Sequence, residues 1–254
     1  MERDVVKVVG PAPSALRLPL IAASVVFACA AGGAARAGNI EPLVEPVVMP
    51  AELTIWEGFY VGGSIAYAFS GDDEVGHSDP AGRLLVSPST LEQHGVNYGL
   101  RLGWRGQRAM TDRAFVYGIE LGYDIGEADD SFDVGGYSAS VEMNNVISVR
   151  LKSGFTNKAG DTLFYGILGY VRGDFDYAVA GTTAGDTIAL DTTFESDGFS
   201  VGLGVEHMLN DRWTVNLEWE YLEFGSERLY DGGGSSTRAT PKYNNIRVGV
   251  NYRF

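Results

Sequence analysis

The stretch Tyr243-Asn244-Asn245-Ile246-Arg247-Val248-Gly249-Val250-Asn251-Tyr252-Arg253-Phe254 decides the fold. Successive side chains of an extended chain point to opposite sides. Ile246, Val248, Val250, Tyr252 and Phe254 therefore share one face, and Asn245, Arg247, Gly249, Asn251 and Arg253 share the other. The period recurs upstream. Trp213, Val215, Leu217, Trp219 and Tyr221 oppose Thr214, Asn216, Glu218 and Glu220; Phe199, Val201, Leu203 and Val205 oppose Ser200, Gly202, Gly204 and Glu206. Phe115 to Asp124, Val96 to Arg105 and Phe59 to Phe69 repeat it. Val141 to Leu151 keeps the rule except at Asn145, with Glu142, Asn144, Ser148, Arg150 and Lys152 on the polar side. In the segment 162–172, Phe164, Leu168 and Tyr170 compete with Leu163, Tyr165 and Ile167 for the apolar face, so its register stays open.

These segments predict eight strands of about ten residues. Long connections fall near 71–94, 125–139, 173–197 and 225–242, and short ones near 106–113, 156–161 and 209–212. Eight half-apolar strands can hide their apolar face inward, in a water-soluble sandwich or barrel, or outward, in lipid. A water-facing polar face would be crowded with large solvated groups. This one holds Gly62, Gly99, Gly103, Gly118, Gly122, Gly202, Gly204 and Gly249 among charges of both signs, which suits a narrow, filled lumen. On the apolar face aromatics sit at the strand ends. Trp56, Phe59, Trp104, Phe115, Trp213, Tyr252 and Phe254 fall at one level, and Phe69, Tyr123, Tyr221, Phe224 and Tyr243 at the other, as two interfacial girdles. Ten residues tilted by about 40° span roughly 25 Å, the apolar height of an outer membrane. The expected fold is all-β: an eight-stranded antiparallel transmembrane β-barrel with short periplasmic turns and four longer extracellular loops, over residues 56–254.

The polar face carries the candidate site. Arg101, Glu120, Arg150, Glu218 and Arg247 fall in a similar layer, with Glu220 two residues beyond Glu218. Charges away from water are stable only when paired and hydrogen-bonded, so these six are expected to plug the lumen as ion pairs. A gate whose pairs exchange to admit small ions is the sharper alternative. No residue set qualifies as catalytic or metal-ligating, and no cofactor is expected. Barrel enzymes acting on lipid A need a His beside a Ser and a carboxylate. His207 has no Ser within two residues, and the contiguous His77-Ser78-Asp79 says nothing about convergence in space. Asp72-Asp73-Glu74, Asp129-Asp130, Asp174 and Asp176, and Asp231-Gly232-Gly233-Gly234 read as solvated acidic loops.

The chain has 254 residues, with 33 acidic against 19 basic groups, and its mean hydropathy is −0.03. Its formal charge of −14, without a Lys/Arg cluster, argues against a nucleic-acid partner. One apolar run, Leu18 to Ala31, follows Arg3, Lys7 and Arg17 and precedes an A-x-A site ending at Ala37. At about 14 residues it is too short to span a membrane, so residues 1–37 are expected to be a signal peptide. That segment holds four of the basic and two of the acidic groups, leaving a formal −16 from Gly38 onward. Cys29 would leave with it, excluding disulfide and thiol chemistry from the mature chain. Pro42, Pro46 and Pro50 make 38–55 an extended periplasmic tether.

The opening Trp56-Glu57-Gly58-Phe59-Tyr60-Val61-Gly62-Gly63, the Phe164-Tyr165-Gly166 segment and the terminal Asn251-Tyr252-Arg253-Phe254 resemble the alphaproteobacterial opacity/Omp25-type outer-membrane β-barrel family. The membrane domain of OmpA is a more distant likeness. The resemblance implies a surface-exposed protein of the cell outer membrane, inserted by the barrel-assembly machinery through its last strand. The chain stops at the barrel, so no peptidoglycan-binding domain is expected. Its expected partners are outer-membrane lipid, lipopolysaccharide and that machinery, with the surface ligand open. The expected role is a structural barrel displaying acidic loops. The alternative is a narrow porin-like pore for ions or small solutes, ahead of a lipid A-modifying enzyme or a host-surface adhesin.

Overall fold

The computed structural model describes residues 55–254, so the signal peptide and nearly all of the tether lie outside the described residues. Twelve strands follow one another: β1 (Gly58–Phe69), β2 (Asp73–Ser78), β3 (Leu84–Leu91), β4 (His94–Ala109), β5 (Ala114–Val134), β6 (Tyr137–Thr156), β7 (Thr162–Thr183), β8 (Asp186–Met208), β9 (Trp213–Phe224), β10 (Glu227–Tyr230), β11 (Ser236–Ala239) and β12 (Lys242–Arg253). Eight of them form one antiparallel barrel in the order β1-β12-β9-β8-β7-β6-β5-β4. Closure is set at β1, where Val61 stands opposite Tyr252 of β12 on one side and Leu102 of β4 on the other. A closed sheet leaves no unpaired edge, which lipid requires.

The four long connections are themselves built of β structure. β5 with β6 and β7 with β8 run on past the apolar band as two long hairpins, which is why these strands reach 20 to 23 residues. Both hairpins close through two-residue turns with positive φ: Gly135-Gly136 (63° and 81°) and Ala184-Gly185 (49° and 82°). Such turns match the right-handed twist of the flanking strands. The first and last long connections fold into the hairpins β2–β3 and β10–β11, joined as a four-stranded cap sheet in the order β10-β11-β2-β3.

The two faces exchange character along β5–β8. Nearer the short turns, Leu100, Leu168 and Leu203 point outward and stay exposed, Leu100 at 68 %. Beyond that band Val141, Met143, Val171, Phe175, Tyr177, Val179, Ile188 and Leu190 point inward, and Glu142, Asp176, Asp191 and Glu195 face out. A bulge at Asn144 switches the parity of β6, since Met143 faces Phe175 while Asn145 faces Asp174. Glu142 therefore lies on the outer surface and not in the lumen. The inward apolar residues pack against Val75, Leu91 and Ala239 of the cap sheet, with Val86 and Leu229 at the margin.

β7 has a single register. Leu163, Tyr165 and Ile167 point inward, and Phe164, Leu168 and Tyr170 outward. The inward set joins Trp56, Val116 and Met208 in an apolar floor at the turn end, so both faces of this strand are apolar there.

Candidate functional site

Above the floor the lumen holds a connected set of charges from five strands. On β4 and β5, Arg101 reaches Asp124 at 2.6 Å. From β6, Arg150 meets Glu220 at 3.0 Å and Glu218 at 3.4 Å, while Lys152 meets Glu218 at 2.6 Å and Glu120 at 2.8 Å. From β12, Arg247 meets Glu220 at 3.0 Å, Asp124 at 3.3 Å and Glu218 at 3.6 Å. Glu120 also lies 3.6 Å from Arg150 and 3.9 Å from Arg101, at ion-pair and not hydrogen-bond range. Four cations face four carboxylates, and no side chain among them is more than 9 % exposed. Burial on this scale is tolerable because every charge has at least two opposite neighbours.

A second layer lies toward the floor. Arg105 engages Glu206 through both guanidinium ends, at 2.7 and 3.0 Å. Glu206 also accepts from Asn251 at 3.0 Å and from the Thr214 hydroxyl. The Arg105 guanidinium sits 4.0 Å from the centre of the Tyr60 ring. Two tyrosines tie the layers together: Tyr60 donates to Glu120 at 2.7 Å and Tyr165 to Glu218 at 2.6 Å. Their rings occupy space that two glycines leave open, since a Cβ on Gly103 would lie 2.2 Å from Tyr60 and one on Gly204 2.4 Å from Tyr165. Voids amount to about 10 Å³ beside Tyr60, Arg105 and Glu206, and to about zero beside Arg101 and Glu218. That is at most the volume of a single water.

All six predicted lumen residues, Arg101, Glu120, Arg150, Glu218, Glu220 and Arg247, belong to this one set. Asp124 and Lys152 complete it; both are on the polar face of the sequence but were missed from the layer, because counting along strands ignores their tilt and side-chain reach. Of the predicted interface aromatics, Trp104, Trp213 and Phe254 are exposed on the outer face. Tyr252 stands between the last two, with ring centres at 5.0 Å from Trp213 and 5.5 Å from Phe254. Trp56 does not join them. It is 1 % exposed and turns inward, donating its indole N–H to the Gly160 carbonyl at 2.7 Å. Its position is even, like Tyr60, while the lipid-facing Phe59 is odd, and its N–H needs a partner that lipid lacks. Phe224 and Tyr243 also point inward, into the apolar core under the cap.

The acidic loops are likewise not all solvated. Asp73 is buried, accepting from the Thr240 N–H at 2.8 Å and hydroxyl at 2.9 Å. Burial pushes its carboxyl pKa up, against the pull of those donors. The histidines have separate surroundings. His77 is buried between Tyr137 Oη at 2.6 Å and Asp186 Oδ2 at 3.0 Å, and Asp186 accepts from Ser235 at 2.8 Å. His207 meets the Thr162 hydroxyl at 2.9 Å, and His94 its near neighbour Glu92 carbonyl at 2.9 Å. Among the described residues no three His, Cys, Asp or Glu side chains stand together as metal ligands do.

Comparison with known proteins follows the same lines. Residues 25–254 match the outer membrane protein β-barrel domain. The chain is 25 % identical over 222 residues to the 31 kDa outer-membrane immunogenic protein of Brucella melitensis, covering 82 % of this chain and 88 % of that one. It is 25 % identical over 242 residues to the 25 kDa outer-membrane immunogenic protein of Brucella abortus, covering 93 % and 97 %, and 26 % identical over 204 residues to the 22 kDa outer membrane protein of Rhizobium leguminosarum, covering 78 % of each. Among solved structures it is similar to the outer membrane protein OprG of Pseudomonas aeruginosa, with 13 % identity, coverage of 78 % and 96 %, and a TM-score of 0.44.

Proposed function

The chain belongs to the family of outer membrane protein β-barrels and resides in the outer membrane, and from that membership we propose that it is a structural barrel: a lumen plugged by ion pairs carries a rigid, acidic display surface on the cell exterior. One observation carries the reading. The eight lumen charges balance, each is buried, and the voids beside them are too small for a hydrated ion. An eight-stranded barrel encloses only enough room for its own side chains. The hairpins above the band support surface display, because their outer faces carry Glu142, Asp176, Asp191 and Glu195 while their inner faces form a packed core. The Brucella relatives are named immunogenic outer-membrane proteins, which agrees with exposure at the cell surface. The reading assigns no catalysis to the three histidines.

The test is conductance of the refolded barrel in planar lipid bilayers. The expected record is silent at moderate voltage. Persistent single-channel steps in the wild type would replace the plug with a narrow pore for ions or small solutes.

A further inference from the structure

β10 and β11 set Arg228 directly opposite Arg238. Directly opposed residues of an antiparallel pair have Cβ atoms about 4.5–5.5 Å apart, and like charges there repel. Both side chains are exposed, and neither has an ion-pair partner among the described residues. The other cations at this end all have one: Arg83 with Asp79 at 3.0 Å, Lys242 with Asp72 at 3.0 Å, and Arg172 with Glu195 and Asp197.

Their surroundings add a second element. Tyr230 follows Arg228 on the same outward side and is 60 % exposed. The Arg228 guanidinium extends over the β2–β3 turn, where a Cβ on Gly82 would lie 3.6 Å from its Nη1. Beside that turn Leu84 is exposed as well. Two guanidinium forks carried on directly opposed positions can converge on the oxygens of one doubly charged anion, each donating two parallel hydrogen bonds. An exposed tyrosine ring beside them offers a flat, amphipathic platform for a sugar. A phosphate monoester matches both charges; a singly charged sulfate ester leaves one repelling.

We propose that Arg228, Arg238 and Tyr230 form a binding site for a phosphorylated saccharide on the outer face of the cap sheet. Two sources share this chemistry, the phosphorylated sugars of lipopolysaccharide and soluble sugar phosphates.

The experiment is titration calorimetry on the refolded full barrel in neutral detergent at low ionic strength. The probes are glucose 6-phosphate, glucose 6-sulfate, glucose and the deacylated phosphorylated oligosaccharide of lipopolysaccharide. Glucose 6-phosphate should bind, more weakly as salt is added, and R228Q and R238Q should each weaken it at least tenfold. Displacement by the deacylated oligosaccharide supports the site with a membrane source; no displacement supports it with a soluble one. Absence of binding, equal affinity for glucose or for the sulfate, or unchanged affinity in both variants overturns the proposal. Without ligand, R238Q should resist protease in the 227–239 hairpin at least as well as wild type, since it removes a like-charge pair. Faster cleavage would make Arg238 a structural residue and overturn its role as a ligand contact.

Discussion

His77 Nε2 lies 3.0 Å from Asp186 Oδ2 although 109 residues separate them, and through Tyr137 and Ser235 this contact brings all four long connections to one buried imidazole. Replacing it by alanine strands partly buried polar groups of two hairpins, at about 1–3 kcal/mol. His77→Ala should therefore speed proteolysis within 79–82 of the refolded protein while the barrel below stays resistant. Cleavage at the wild-type rate would show that the cap holds without this link.

Arg247 faces three carboxylates, Glu220 at 3.0 Å, Asp124 at 3.3 Å and Glu218 at 3.6 Å. Arg247→Ala leaves buried charge uncompensated and should lower barrel stability by about 3–5 kcal/mol in urea. Adding Glu220→Gln should restore part of that loss, because the neutral amide needs no counter-charge. Strictly additive losses in the double-variant cycle would deny the coupling.

The chain has four tryptophans, of which Trp104, Trp213 and Trp219 are exposed on the outer face and Trp56 is buried inside. In single-tryptophan variants refolded into vesicles, lipids brominated along their chains should quench the first three and spare Trp56. Equal quenching of Trp56 would return it to the lipid face. Trp56→Phe should cost about 1 kcal/mol through the lost bond to Gly160.

Asp73 should make the cap more stable in acid. Its raised carboxyl pKa means that the folded state binds the proton more tightly than the unfolded chain. The stabilisation is therefore full below the unfolded carboxyl pKa and is lost as pH rises through the raised value. Asp73→Asn, which keeps an acceptor for Thr240, should flatten this dependence and give at neutral pH the protease resistance that wild type reaches in mild acid. A wild-type cap that loosens on mild acidification, with Asp73→Asn behaving alike, would reverse the sign and discard the claim.

The strands and their faces are legible in the sequence wherever one face meets lipid and the other meets charge, as in Tyr243–Phe254. The signal cancels where the lumen itself is apolar. Leu163, Tyr165 and Ile167 face the floor while Phe164, Leu168 and Tyr170 face lipid, and no period separates two apolar faces. It inverts where strands leave the lipid, so 125–139 and 173–197 read as loops although they are paired strands. The six lumen charges can be located from parity alone, and so can partners on neighbouring strands such as Arg247 and Glu218, which stand opposite in the ladder; Arg150 and Glu220 cannot be paired that way, because they meet across the barrel. The His77 contact is invisible for the same reason, since its partners come from distant hairpins.

The exchange of faces along β5–β8 also acts as a waterline. Sliding the barrel outward by one ladder step would lift Tyr170 and Phe199 into water, and sliding it inward would drag Asp174, Asp176 and Glu195 toward hydrocarbon. Either displacement is opposed from several strands at once. The protein is thus held at one draught in its membrane, and everything the cap presents to the outside rides at a constant height above the lipid headgroups.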